Sequence, residues 1–270
     1  MNVFRLALLP LVGMVGFLVA AWLLPEAWGG AALFFWAAVA TRSLAAGGEF
    51  LAGSCFRFGD LLRWGWWFWA FGDACLVLRT GIEGPTHFVL TTPGHLHLSI
   101  LLLVLANLAA VLGALFMARV WFASGLARAF DSWRQIAWSA VVSTLALLAV
   151  APLLARSARA TLAGDSSFVL PLLSASSDLA SLLLVSPMLL LALSVRGGRL
   201  AWSWGLVVVS FVGWMFVDLA QGYGPGFLSA RIGQVLENAF AVFASLAIFA
   251  AGLAQRWAVS PAPGATRGRD

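Results

Sequence analysis

Five ionisable side chains lie inside stretches of this chain that are otherwise apolar enough to cross a bilayer. They are Arg42, Asp73, Asp178, Asp218 and Glu237. A charge in hydrocarbon costs about 2.5 to 3.5 kcal/mol on insertion scales, so it persists mainly where it has a partner or a task. Carboxyl groups inside membrane spans are common parts of proton relays and of cation-coupled carriers.

The acidic side chains outnumber the cation in these stretches. We expect an outward-opening polar site in which Arg42 is the strong cation and Asp73, Asp178 and Glu237 form acidic walls. Such a site carries net negative charge, so a carboxyl must hold a proton or a cation must bind. We also expect at least one acid to form an ion pair with Arg42. The candidate ion or ligand site comprises Arg42, Asp73, Asn107, Asp178, Asp218, Glu237 and Asn238, none with an assigned catalytic role.

A purely structural role would satisfy the same residues. Arg42 would then pair with one acid, while Asn107 and Asn238 would hydrogen-bond across helices, because polar side chains hold membrane helices together. The segment around Asp178 adds another possibility. It contains Pro171, Ser174, Ser176, Ser177 and Pro187. These residues predict an interrupted helix whose freed carbonyl groups would bind a ligand.

Metal and cofactor chemistry have weak support in the sequence. His87, His95 and His97 are weak candidates for metal ligands, since imidazole suits zinc. However, His95 and His97 would point to different sides of a helix, and the chain has no His-Glu-x-x-His motif. The chain also has no Lys, which excludes a retinal or pyridoxal Schiff base. We therefore predict no metal and no cofactor.

The composition predicts that helices in a membrane position these residues. Of the 270 residues, 62% are hydrophobic and 10% are charged, whereas soluble domains are about 25% charged. We predict an all-α, polytopic transmembrane bundle with eight spans, or seven if the first is a cleaved signal peptide. The spans lie near 3–24, 30–54, 60–79, 96–118, 136–154, 168–194, 200–221 and 227–254.

The arginine residues predict the orientation. With the N-terminus inside, eleven of the sixteen arginines fall on the cytoplasmic side and four on the outer side. This bias predicts a multi-pass protein of the plasma (inner) membrane with both termini cytoplasmic. Because the basic residues report topology, they do not indicate nucleic acid. The Trp-rich runs 64–69 and 202–204 are typical of an aromatic belt at the cytoplasmic interface.

Outside the spans, two segments have distinct patterns. The bundle occupies 1–257, and within it 119–135 has the periodicity of an interfacial amphipathic helix, which would offer a surface to a cytoplasmic protein partner. The last residues, 258–270, are rich in Pro, Gly and Arg and predict a disordered cytoplasmic tail.

Two short patterns recur in the same order along the chain. The pattern Trp-x-Phe-x-Asp occurs at 69–73 and 214–218, and Leu-x-Asn occurs one span later at 105–107 and 236–238. This order indicates two four-helix halves in parallel orientation. The halves are 1–118 and 136–257, joined by the interfacial helix.

Three functional classes are compatible with these features. Transport coupled to protons or cations, or binding of a small solute, is favoured by the charges at membrane depth. The alternative is a membrane sensor or assembly subunit that works with a cytoplasmic partner. The third is an intramembrane enzyme, which is the least favoured of the three.

Overall fold

The helices agree closely with the predicted spans. The computed structural model describes residues 3–24, 30–84, 93–123, 132–165, 168–194 and 199–259. Within these ranges the chain forms helices and no β-strand. The helices are α1 (Val3–Leu23), α2 (Gly30–Gly53), α3 (Leu61–Glu83), α4 (Pro93–Ala123), α5 (Ser132–Leu162), α6 (Val169–Ser194), α7 (Arg199–Phe227) and α8 (Ala230–Val259). The predicted all-α class is confirmed.

The lengths and compositions of the helices are those of a helical membrane protein. Six of them, α1, α2, α4, α6, α7 and α8, are long and apolar enough to cross a membrane. Helix α5 adds a seventh if it counts as one span with a 53° bend between Leu148 and Val150. Pro152 accounts for the bend, because its ring lacks an amide N–H and crowds the preceding turn. Helix α3 is not among them because tryptophans and charged residues interrupt its apolar sequence.

Six helices close into a ring. In order around it, α2 packs on α3, α3 on α4, α4 on α6, α6 on α7, α7 on α8, and α8 on α2 again. Helix α1 packs outside the ring, mainly on α8, and α5 packs outside it on α6 and α7. A closed ring of this kind separates its interior from lipid, and this allows the polar helix α3 to belong to it.

Small residues bring the helices of the ring into close contact. Where α2 meets α8, a Cβ added to Gly252 would collide with the carbonyl oxygen of Gly48, and one added to Gly48 would lie 2.9 Å from the carbonyl oxygen of Phe249. Where α3 meets α4, a Cβ on Gly113 would lie 2.9 Å from the carbonyl oxygen of Gly65. Such contacts are typical of membrane helices, which associate through tight van der Waals packing.

Four aromatic side chains fill one end of the space that the six helices enclose. We call Trp66, Trp69, Trp204 and Phe211 the aromatic plug. The Trp66 ring centroid lies 5.4 Å from that of Trp69 and 6.4 Å from that of Trp204, and Trp69 lies 5.7 Å from Phe211. Trp66 is completely buried. The prediction that these tryptophans belong to an interfacial belt is therefore wrong for Trp66, Trp69 and Trp204, because their indoles pack between helices.

Some predicted segments lie largely outside the described residues. The predicted interfacial helix, 119–135, falls mainly on 124–131, which are not described, while its two ends belong to α4 and α5. The predicted tail, 258–270, begins within the last residues of α8, and 260–270 are not described. The helix, its partner surface and the tail stay predictions.

The contact between α2 and α8 can be tested with neighbouring glycines. We expect Gly48→Ala to lower the free energy of unfolding by about 1 to 3 kcal/mol, because its new methyl group meets the backbone of Phe249. Gly47→Ala is the matched control, since nothing lies within 4 Å of its Cβ position. The control should keep or slightly increase stability. Thermal unfolding in nanodiscs measures both, and equal stability of the two variants would contradict the close contact.

Candidate functional site

The ring of helices surrounds a cavity of about 440 Å³. Residues from all six of these helices line the cavity. Two side chains of the aromatic plug, Trp69 and Phe211, form part of its wall. The cavity brings together every residue of the predicted site. These are Arg42, Asp73, Asn107, Asp178, Asp218, Glu237 and Asn238. Their placement in one cavity is an observation, whereas their role in binding stays a prediction.

Two carboxyl groups face each other between α2 and α3. We call Glu49 and Asp73 the first carboxyl pair, because their side chains lie within hydrogen-bonding reach of each other. Glu49 is only 2% exposed, and its Oε2 atom has no hydrogen-bond partner. Ionised carboxylates only accept hydrogen bonds, so neither can satisfy the other unless one of them holds a proton. A proton shared by the pair, or another donor, would satisfy these oxygens.

A second acidic group lies across the cavity on α6, α7 and α8. It consists of Asp178, Asp218 and Glu237. Asp178 and Glu237 are close enough for their charges to act on Asp218. Asp218 is 4% exposed, and its Oδ2 atom has no hydrogen-bond partner. Glu237 differs, because the Gln221 side-chain amide donates to its Oε1 atom at 2.7 Å. This group thus combines one well-supported carboxylate with a buried carboxyl oxygen that lacks a donor.

Arg42 faces the cavity without an ion-pair partner. Among the described residues, no carboxylate lies within ion-pair distance of its guanidinium, so the predicted ion pair with an acid is wrong. The guanidinium instead lies over the ring of Trp214, with its central carbon 5.5 Å from the ring centroid. A cation–π interaction of this kind stabilises the charge without using the N–H groups as hydrogen-bond donors. The surrounding charges are Asp73, Arg79, Glu83 and Glu237.

A hydrogen-bonded group joins α3 and α4 at one end of the cavity. Arg79 Nε donates to Glu83 Oε1 at 2.7 Å and lies 3.2 Å from Ser99 Oγ, while the Ser99 hydroxyl donates to Glu83 Oε1 at 2.6 Å. Gln221 and Gln234 line the cavity at the same end, where α7 ends and α8 begins. We call this end of the cavity, which lies opposite the aromatic plug, its mouth.

The two asparagines do not bridge helices through their amides. Asn107 Nδ2 donates to the Leu103 carbonyl at 2.9 Å, and Asn238 Nδ2 donates to the Gln234 carbonyl at 2.8 Å, each within its own helix. The prediction that Asn107 and Asn238 hydrogen-bond across helices is therefore wrong, because each side-chain amide donates within its own helix. A serine forms the link instead, since the Ser177 hydroxyl donates to the backbone carbonyl of Asn107 at 3.0 Å.

Helix α6 is continuous through the serine-rich segment. The predicted interruption is wrong, because α6 runs from Val169 to Ser194 as one helix. Pro171 lies in its first turn, where the missing N–H has no helical partner to lose. The Ser176 hydroxyl donates to the Leu172 carbonyl of the same helix at 2.7 Å. The carbonyls of this segment therefore stay in the helix.

The histidines do not form a metal site in the part of the chain that the structure describes. No group of three or more His, Cys, Asp and Glu side chains in those residues has the arrangement of a metal site. His97 is exposed on α4. His87 and the side chain of His95 lie outside the described residues, so their role stays a prediction.

Several residues that line the cavity are absent from the site predicted from the sequence. Glu49 was the main omission, yet it follows Arg42 by seven residues, which places both on one face of α2 after two turns. Gln221 and Gln234 were also missed, although each lies three residues from a predicted acidic member of the site, Asp218 or Glu237. Helical spacing from Arg42, Asp218 and Glu237 would have found all three.

Comparison with known proteins gives no kinship on which to base a function. No protein-family model, no curated protein and no solved structure matches the chain. The function must therefore be argued from the residues of the site, their geometry and their chemistry.

The second acidic group predicts an unusual effect on stability. We expect Asp218→Asn to raise the free energy of unfolding by about 1 to 3 kcal/mol, because the amide removes a buried like charge and donates to a neighbouring carboxylate. Thermal unfolding in nanodiscs at neutral pH measures it. Asp60→Asn is the control, since Asp60 is exposed and accepts the Arg57 N–H at 2.9 Å before α3. Destabilisation by Asp218→Asn beyond the control would contradict this account.

Proposed function

We propose that this protein uses its cavity to bind a small solute and to couple its movement to protons or cations. The observation that supports this most strongly is the pair of buried carboxyl oxygens, on Glu49 and Asp218, that line the cavity without a hydrogen-bond donor. An unsatisfied buried polar atom costs about 1 to 3 kcal/mol. A site that binds a proton or cation there recovers that cost whenever it is occupied.

A purely structural role fits the site less well. A structural ion pair needs good geometry and satisfied hydrogen bonds to offset the loss of hydration. In this cavity Arg42 lies over an aromatic ring, and carboxyl groups face other carboxyl groups. This arrangement stores unfavourable electrostatic energy that a bound ligand would release. Binding sites, unlike structural contacts, commonly keep such energy.

The shape of the cavity supports a solute in addition to an ion. Its volume of about 440 Å³ falls in the range of about 300 to 1,000 Å³ that is typical of small-molecule sites. Polar groups surround its mouth, and the aromatic plug closes the other end. A carrier with one end open and one end closed has the form expected of a single state in an alternating cycle.

We also propose that all eight helices span the membrane and that both termini are cytoplasmic. Helix α3 is polar because its charged face lines the cavity, while α2 and α4 cover it on either side. The arginine bias then directs the mouth of the cavity outward. The short connection between α2 and α3 would face the cytoplasm, on the same side as the end of α8.

The contacts support an internal duplication that is smaller than the predicted four-helix halves. We propose that α2–α4 and α6–α8 are repeated three-helix units, while α1 and α5 pack differently outside the ring. Gly65 contacts Gly113 where α3 meets α4, and the Ser210 hydroxyl donates to the Ala244 carbonyl at 2.8 Å where α7 meets α8. These four residues occupy matching positions relative to the repeated motifs.

The carboxyl groups follow the same repeat. Segments 45–52 and 174–181 align as four small residues followed by an acid, which pairs Glu49 with Asp178. The contact between Glu49 and Asp73 then corresponds to the contact between Asp178 and Asp218. An experimental structure in which the two units do not superpose would contradict the duplication.

Proton coupling can be tested by flux measurements in proteoliposomes. We expect the wild-type protein to acidify the lumen in response to an inward proton gradient, and we expect Glu49→Gln and Asp178→Asn to reduce that flux at least ten-fold, because each removes a proton-binding carboxyl. Asp60→Asn is the control, since Asp60 lies in a connection outside the cavity. Proton flux that is unchanged in both carboxyl variants would contradict the coupling. The coupling would also be contradicted if the wild-type protein showed no proton flux with any of the solutes tested.

The proposed orientation can be tested with the two natural cysteines. Cys55 is exposed in the connection after α2, whereas Cys75 is buried in α3. Burial raises the pKa of the Cys55 thiol, an effect that nearby Arg256 opposes, so labelling calls for a mildly alkaline pH. We expect a membrane-impermeant maleimide to label inverted vesicles and to leave intact spheroplasts unlabelled. Cys55→Ser should abolish the labelling, and labelling of intact spheroplasts would contradict the orientation.

A further inference from the structure

The guanidinium of Arg42 has hydrogen-bond donors that no described residue uses. Arg carries five N–H donors in a planar fork that matches the two oxygens of a carboxylate. Arg42 lines the cavity, and the described chain offers it the face of Trp214 but neither an ion-pair partner nor a hydrogen-bond acceptor. The contact with the indole stabilises the charge without using the N–H groups of the guanidinium. The geometry therefore provides a binding point for an anionic group that the protein itself lacks.

The first carboxyl pair provides the opposite binding point on the same helix. Glu49 follows Arg42 by seven residues, so their Cα atoms lie about 10 Å apart along α2 on one face. Asp73 from α3 lies against Glu49 and is also close enough to act on the charge of Arg42. The Glu49 Oε2 atom is buried without a donor. An ammonium group would supply both a charge and the missing donors.

The charges that line the cavity disfavour a simple anion and leave a simple cation without a partner for Arg42. A solute with only a carboxylate would meet Arg42 but would also be repelled by the acids that line the rest of the cavity. These acids are Glu49, Asp73, Glu83, Asp178, Asp218 and Glu237. A solute with only an amine would be attracted by the acids but would leave the Arg42 donors unused. A molecule that carries both groups satisfies both ends of the site.

We propose that the cavity binds a small zwitterion, with its carboxylate on Arg42 and its ammonium group on the first carboxyl pair. The inference rests on the proposed function, since it names the class of solute for the same cavity. The separation of Arg42 and Glu49 along α2 favours a molecule whose two charges are several bonds apart, such as an ω-amino acid. The aromatic side chains of the wall, including Phe34 and Phe211, would contact the methylene groups between them.

Three probes of equal chain length test this proposal. They are 5-aminovalerate, pentylamine and valerate, which share a five-carbon chain and differ in charge. We expect isothermal titration calorimetry on the full-length protein in nanodiscs to show at least ten-fold tighter binding of 5-aminovalerate than of either other probe. Tighter or equal binding of pentylamine would replace the proposal with an organic cation site. The same result for valerate would replace it with an anion site, and no binding of any probe would overturn it.

Two variants assign the ends of the zwitterion. Arg42→Gln should weaken 5-aminovalerate binding at least ten-fold and should remove its advantage over pentylamine. Glu49→Gln should weaken 5-aminovalerate and pentylamine alike without weakening valerate, and it keeps the test decisive if Arg42→Gln does not fold. Arg119→Gln is the matched control, because Arg119 is exposed on α4 and does not line the cavity. An unchanged order of affinities in both cavity variants would contradict the assignment.

Failure of this inference and failure of the proposed function give different results. Proton flux that depends on Glu49 and Asp178, without binding of any probe, would leave the coupling in place and remove the zwitterion. Binding of 5-aminovalerate with the expected loss in Arg42→Gln, but without proton flux, would keep the zwitterion site and remove the coupling.

Discussion

The cost of holding charge at membrane depth determines how the helices of this protein pack. Ionisable groups can stay there only where protein or a water-filled space replaces lipid around them. The ring of six helices meets this condition by turning its charged faces inward. Helix α3 shows the effect most clearly, because it is too polar to resemble a span yet lies between α2 and α4. The polar cavity therefore depends on the closed ring of helices, which keeps lipid away from its charged groups.

Tight contacts between small residues keep this ring closed against the repulsion inside it. The acids of the cavity repel one another, and Arg79 and Glu83 form an ion pair at its mouth. Stability must therefore come from elsewhere, namely the close approach of backbones at Gly48 and Gly252 and the packing of Trp66 and its neighbours. The helices are held together by van der Waals contacts, which leave the charged groups available for a ligand.

The sequence predicted the helices well because hydropathy and span length are local properties. It also identified the polar side chains of the cavity, since a charge in an apolar segment is conspicuous without knowledge of its neighbours. Contacts between side chains of different helices were not predicted, because they depend on which helices become neighbours. The position of Arg42 over Trp214, instead of on an acid, follows from the closure of the helix ring, in which α2 packs on α8 and the Arg42 side chain reaches Trp214 on α7. Glu49 is absent from the predicted site because its contact with Asp73 depends on the packing of α2 against α3.

The aromatic plug gives the bundle an electrical asymmetry. A membrane potential falls mainly across the region of low dielectric constant, and a charge that crosses the whole potential exchanges about 2.3 kcal/mol per 100 mV. In the proposed orientation the cavity opens to the outer solution, so its interior would lie near the potential of that solution, and most of the voltage would fall across the packed indoles of Trp66, Trp69 and Trp204. Binding of a charge in the cavity is then nearly independent of voltage. Passage of a charge beyond the plug is the step that the electric field would drive.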